Sequence, residues 1–326
     1  MSFANEKTAA FCQSLGIEVP LICGAMYPCS NPELVAAASE AGAIGIVQPL
    51  TLSYVNGYDF RAGLRYIRSL TKKPIGLNLL IEASSKIYLD RMNHYMEIAL
   101  EENVRFFITA LGNPQWVVKK VHASKGLVFH DVTEKKWAQK AIDAGVDGLI
   151  GVNRIAGGHT GTFDPEKLLE ELQSFKVPLV CAGGVGGPER FKKMIALGYS
   201  GVQMGTRFIA TNECSASADY KTAILKATAK DIVLTERLTG VPVSIIKTPL
   251  AEKLGFEAGP IMKFFLKNAR LKHWARLYYS LRSFRDLKKS IKKPNPYKDL
   301  WQAGKSVDDI EEILSVAEVV KRIRNA

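Results

Sequence analysis

Short apolar runs rich in β-branched residues recur along the first two-thirds of the chain, each followed by a stretch with helical spacing of its apolar positions. The runs fall at 20–24 (PLICG), 43–47 (AIGIV), 74–80 (PIGLNLL), 104–109 (VRFFIT), 126–130 (GLVFH), 147–152 (DGLIGV), 177–182 (VPLVCA) and 200–204 (SGVQM). Between them the pattern predicts helices over 32–41, 85–101, 114–122, 133–144, 165–174 and 187–197. Asn31 is placed to cap the first of these, with Pro32 at its first position, and Gly145 and Gly198 are placed to end two others. Strands that are apolar nearly throughout belong to a parallel sheet covered on both faces, and eight βα units are the number that closes on itself. The fold class expected is α/β, a (β/α)8 TIM barrel with a C-terminal helical appendage.

Beyond about residue 230 the alternation stops. The predicted organisation is a barrel over 1–230 and a helical, basic lid or substrate region over 231–326. Residues 235–262 are rich in Gly and Pro. Residues 263–293 read as one or two amphipathic helices, with Leu271, Trp274, Tyr278, Leu281, Phe284, Leu287 and Ile291 at spacings of three and four. Pro294-Asn295-Pro296 interrupts the pattern, and a last helix is expected over 306–324.

Charge sharpens this division. The 326-residue chain has a net charge of +12, of which 263–293 holds +10, eleven Lys and Arg against the single acid Asp286. Three readings of that segment stand: a lid with solvated charges, a dock for an acidic protein or an anionic membrane surface, and a nucleic-acid surface. The five cysteines form no CxxC pair and the five histidines no HxH or HExxH, so neither a disulfide framework nor a metal site is expected. The N-terminal MSFANEKTAAFCQSLG lacks the features of a signal peptide, and no apolar run reaches the ~20 residues of a membrane span, which reads as a cytoplasmic protein.

Candidate chemistry gathers where strands seven and eight end. Ala182-Gly183-Gly184 and Met204-Gly205-Thr206 each sit where a strand gives way to a helix. Glycine turns expose backbone N–H groups, and a following helix adds a partial positive charge, which suits a phosphate. Asn78 at the third strand end is read either as a cap or as an amide that can hydrogen-bond a flavin ring edge. His159, in Ala156-Gly157-Gly158-His159, has the ordinary pKa range for proton transfer near neutrality, while a loop histidine of this kind can also be plain surface. His130 is read as a pocket-lining or strand-end residue.

The ordered set Gly24-Ala25-Met26, Gly76-Leu77-Asn78, Gly112-Asn113-Pro114, Ala156-Gly157-Gly158-His159, Ala182-Gly183-Gly184 and Gly201-Val202-Gln203-Met204-Gly205-Thr206-Arg207-Phe208 resembles the nitronate monooxygenase (2-nitropropane dioxygenase) family, which includes flavin-dependent enoyl-acyl-carrier-protein reductases. The resemblance covers about 15–230 and extends to Trp301-Gln302-Ala303-Gly304. It implies FMN, with Ala25, Met26, Asn78, Gly158, Ala182, Gly183, Gly184, Met204, Gly205 and Thr206 as its binding residues and His159 acting on the substrate. Alkyl nitronates oxidised with O2 are the implied chemistry. An NAD(P)H-dependent enoyl-thioester reductase and a flavin-bearing partner-binding protein without turnover are the alternatives. Ile155 and Val152 stand where the family commonly has acidic or polar residues. FMN barrels that reduce tRNA uridines have an N-x-G-C-P loop, which this chain lacks, and nucleic acid is accordingly the least favoured partner.

Overall fold

The computed structural model describes residues 5–82, 86–237, 241–257 and 300–325. All eight expected strands are present. They are β1 (Leu21–Cys23), β2 (Ile44–Val47), β3 (Ile75–Leu80), β4 (Phe106–Ala110), β5 (Leu127–Val132), β6 (Gly148–Val152), β8 (Leu179–Ala182) and β9 (Gly201–Met204), with β7 (Gly158–His159) outside the series. Each pairs in parallel with the next, and β9 returns to β1 through Leu21 opposite Val202 and Cys23 opposite Met204, closing a (β/α)8 barrel.

The outer ring contains α2 (Pro32–Glu40), α3 (Phe60–Leu70), α4 (Lys86–Glu101), α5 (Gln115–Ala123), α6 (Lys135–Asp143), α7 (Pro165–Leu172) and α8 (Pro188–Leu197). Gly145 and Gly198 adopt the left-handed conformation expected of helix-ending residues, with φ of 87° and 115°. Asn31 has the extended backbone of a cap, but its side chain does not cap α2. Its Nδ2 donates to the Glu33 carboxylate and to Glu213 O at 2.9 Å, while its Oδ1 accepts from Ser215 N at 2.9 Å. A long-range tie has taken the local capping group.

Alternation along the strands divides the apolar residues into two layers. One face of each strand packs outward on the helices. The other fills the barrel with Ile22, Ile44, Ile46, Phe106, Ile108, Phe129, Ile150 and Val180. The N-terminal α1 (Glu6–Leu15), which sequence periodicity did not single out, presents Phe11 and Leu15 to that interior cluster. Phe11 is fully buried, and its ring lies 5.9 Å from that of Phe129. The interior tolerates three aromatic rings because glycines stand opposite them. A Cβ on Gly148 would come within 2.4 Å of the Phe129 ring, and one on Gly201 within 2.7 Å of Phe11.

After the barrel come α9 (Thr206–Ile209), α10 (Ala218–Lys226), β10 (Ile232–Thr235), β11 (Val243–Ile246) and α11 (Pro249–Leu254). The strands β10, β11 and β7 form a small antiparallel sheet that the sequence reading did not anticipate. The expected helix over 306–324 is divided: a 3-10 turn spans Lys305–Asp309, and only Val316–Arg324 is helical, here α12. Ser315 caps α12 by accepting from Glu318 N at 3.1 Å, which starts the helix there. The basic helices expected over 263–293 lie outside the described residues. Among the described residues, no helix is long and apolar enough to cross a membrane.

Replacing Phe11 by Ala removes the ring shared by α1 and the barrel floor. A loss of about 3–5 kcal/mol is expected, read as a lower urea midpoint at unchanged slope.

Candidate active site at the barrel mouth

Strand C-termini converge on one face of such a barrel, and the stagger of about one residue per strand means that interior side chains at one height come from alternate strands. Tracing the ladder partners from Asn78 through Ile108 and Phe129 around the barrel assigns those heights. Gly24, Asn78, Asp131 and Ala182 share one interior layer. Above it, at the lip, are Gln48, Ala110, Val152 and Gly205; below it are Ile46, Ile108, Ile150 and Gln203. The floor of the mouth therefore has two polar side chains and two very small residues.

Asn78 is buried, with Nδ2 3.5 Å from Ile108 O, at the outer limit of a hydrogen bond. Asp131 retains some accessible surface, but its Oδ1 is sealed and meets no hydrogen-bond partner among the described residues. Burial pushes its carboxyl up to about 7. Gln203 occupies the space that Gly24 leaves, since a Cβ on Gly24 would sit 3.0 Å from Gln203 Cγ, and its Oε1 is likewise buried without a partner. Sequence reasoning passed over Asp131 because it follows His130, which attracted notice as a histidine. The structure turns that pair the other way. His130 faces the outer layer, buried, with Nδ1 2.8 Å from Thr109 Oγ1, and burial lowers its pKa to about 4. His130 does not line the mouth.

The two glycine turns differ. Gly183 and Gly184 have φ of 114° and 78°, and a Cβ on either would strike Asn153 Oδ1 at 2.5 Å or Ile155 Cδ1 at 2.1 Å. Both demand glycine, sterically and by conformation. Neither N–H meets an acceptor among the described residues, which leaves a pair of donors for an anion. Behind the turn, the ten-residue α8 begins at Pro188, with Asp309 already at its entrance, accepting from Gly186 N at 3.2 Å and pairing with Arg190 at 3.1 Å. At the second turn α9 is only four residues long, so the helix contribution expected there is small. Thr206 Oγ1 accepts from Gly304 N at 3.0 Å, leaving its O–H to donate elsewhere. Met204 is buried in the outer layer, and its carbonyl accepts from Gly24 N at 3.0 Å. Met26 lies across the seam, its Sδ 3.4 Å from where a Gly205 Cβ would be.

Asn153 is the residue that the sequence reading missed behind these turns. Fully buried, it donates through Nδ2 to Gly183 O at 3.0 Å and accepts at Oδ1 from Ile155 N at 3.0 Å, tying the end of β6 to the turn after β8. The 302–305 segment crosses the same place. Gly157 and Gly304 meet backbone to backbone, a Cβ on Gly304 coming within 2.6 Å of Gly157 N, and Lys305 N donates to Ile155 O at 3.0 Å. Tyr220 stacks on Trp301 at 5.6 Å and donates to Gln302 O, which seats the segment. Arg207 turns away from the mouth and donates to Ala210 O and Glu312 O, anchoring the chain beyond the crossing.

His159 stands on β7, where it pairs with Val243 of β11. Gly158 before it pairs with Ser244, so this part of the glycine loop belongs to a sheet. The side chain is exposed at the rim, yet the protein around it displaces enough water to lower the imidazole pKa, so the neutral form prevails at neutral pH.

A family model described as nitronate monooxygenase matches residues 9–325. The chain belongs to the nitronate monooxygenase family. It is an oxidoreductase of that family. A nitronate monooxygenase from Pseudomonas aeruginosa is 29% identical over 276 residues, covering 72% of this chain and 78% of that protein. A protein named (3aS,4S,5R,7aS)-5-hydroxy-7a-methyl-1-oxo-octahydro-1H-indene-4-carboxyl-CoA dehydrogenase, from Rhodococcus jostii, is 28% identical over 246 residues, covering 75% of this chain and 67% of that protein. Among solved structures, FabK from Thermotoga maritima superimposes with a TM-score of 0.77 at 25% identity, over 96% of this chain and 94% of that one. Within the family's barrel, Val152 occupies the lip, and the Ile155 side chain packs on Gly184.

Replacing Asn153 by Ala leaves Ile155 N and Gly183 O, both part-buried, without the partners that this buried side chain supplies. At about 1–3 kcal/mol for each unpaired group, the expected cost is the low end of about 2–6 kcal/mol by denaturant titration, because water reaches part of both groups.

Proposed function

We propose that this member of the family is an FMN-dependent nitronate monooxygenase that oxidises alkyl nitronates with O2. The observation that carries the reading is the combination at one mouth of the Gly183-Gly184 donor pair and His159 pinned on β7. The cradle fits a phosphate: its donors are uncommitted, its conformation admits only glycine, and Thr206 retains a hydroxyl proton. Gly158, Ala182 and Gly205 would border the cofactor, with Ala25, Met26 and Asn78 against its ring; Met204, expected beside them, is turned into the outer layer. When bound, FMN supplies the acceptor for the substrate's electrons, and the protein supplies position and proton control.

His159 works in its neutral form. A ring nitrogen accepts a proton from the carbon bearing the nitro group, or orients the anion once it has formed. Because its pKa is lowered, the base form predominates at neutral pH and is lost on acidification below the ordinary value of about 6.5. The C-terminal region, 231–326, is read as the lid over this mouth, and the basic 263–293 segment as the place for an acidic partner if one is used.

The likeness to FabK supports a second reading, an NAD(P)H-dependent enoyl-thioester reductase. Anaerobic reduction distinguishes them. Bleaching of the flavin by propyl nitronate, with recovery in O2, is the expected result. Bleaching by NAD(P)H with recovery by an enoyl thioester supports the second, and no bleaching by either leaves a flavin carrier without turnover.

His159→Ala is expected to lower kcat by about 10²–10⁴-fold with flavin content unchanged. The acid limb of kcat/KM, which falls below the ordinary imidazole range in the parent enzyme, should vanish from the variant's residual activity.

A further inference from the structure

We propose that Asp131, on the floor of the mouth, is a substrate-binding acid that donates a hydrogen bond from its protonated carboxyl to an oxygen of the bound substrate. The inference rests on the oxidoreductase reading of the same mouth and adds a residue that nothing in its sequence motifs marks.

Three observations meet at this residue. The strand register places Asp131 in the same interior layer as Asn78, with the small residues Gly24 and Ala182 completing the layer. Its Oδ1 is sealed and unpartnered among the described residues, while the residue as a whole keeps accessible surface. A carboxyl held in this way is costly to ionise, because its sealed oxygen meets no water and, among the described residues, no counter-charge. Among the described residues, no charged group compensates it. Across the ladder β4 presents Ala110, and β6 presents Ile150 and, at the lip, Val152. The floor adds Asn78, Gly24 and Ala182, and His130 next door faces the outer layer with its pKa lowered to about 4. Among the described residues, the other titratable group placed at the mouth is His159 at the rim.

The acid form is therefore the resident form up to about pH 7, the value to which burial raises this carboxyl. A protonated carboxyl is a donor aimed from the floor, where Asn78 and Gln203 add only amides. A nitronate or a thioester each presents an oxygen acceptor to it. Above its pKa the group loses that proton and the donor with it, so ligand affinity falls with rising pH. The lip residue on the next strand is the apolar Val152, and Asp131 provides the acid from the strand before it.

The test is ligand affinity as a function of pH in the FMN-loaded enzyme, followed by perturbation of the flavin spectrum. Nitrite serves as the anionic probe and crotonyl thioester as the neutral one. The parent enzyme is compared with Asp131→Asn, which keeps a donor but cannot ionise, and with His159→Ala. For a ligand of this site, the parent's Kd is expected to rise about tenfold per pH unit above about 7. Asp131→Asn should be flat over that range, and His159→Ala should keep the rise. Asp131→Asn also folds at least as stably as the parent at pH 8, since it removes a buried charge. A rise confined to the thioester supports Asp131 while overturning the nitronate reading; a rise with nitrite supports both. If neither probe shows a rise that Asp131→Asn abolishes, or if His159→Ala abolishes it instead, Asp131 is not the donor.

Discussion

The closed ladder is the constraint on which the rest depends. Eight parallel strands meet only if each is staggered against its neighbour, and the stagger decides which side chains share a height inside the barrel. Low in the barrel the consequence is packing: Phe11, Phe106 and Phe129 fill the space that Gly148 and Gly201 vacate. One layer below the lip the consequence is chemical. There the same geometry sets Asn78 and Asp131 beside the small residues Gly24 and Ala182, so two polar groups share one interior layer.

A second arrangement, built on backbone contact, completes the mouth from far along the chain. Gly157 and Gly304 touch because neither has a side chain, and this lets Gly304 N reach Thr206 Oγ1 and Lys305 N reach Ile155 O. Asn153 locks the same loop to the Gly183 turn from beneath. The Gly183-Gly184 turn, the histidine loop and the C-terminal crossing are therefore one mechanical unit. His159 takes its position from that unit through β7 and β11, which explains how an exposed imidazole is held at a fixed place on the rim.

Much of this was legible in the residues. Eight apolar runs were visible because parallel strands are buried on both faces and leave a nearly continuous apolar signature. The glycine turns were visible because positive φ leaves few other choices, as at Gly183 and Gly184. Elements with a single amphipathic neighbour were less visible. The pattern of α1 did not disclose that Phe11 closes the barrel floor, and β7, β10 and β11 are too short to carry a period. Asn31 and the four-residue α9 show the same limit, because local capping and helix signals gave way to long-range ties.

The sequence by itself determined the barrel, its family and the loops that meet at the mouth, because local periodicity and glycine conformation are written residue by residue. Only the tertiary structure decided which way His130 and Asp131 point, since strand alternation carries no label for inside and outside until the ladder closes. It also decided that Arg207 anchors the C-terminal segment instead of reaching the mouth, and that Asn153 and Gly304 hold the site. Those are contacts between residues distant in the chain, and they exist only once the fold has brought them together.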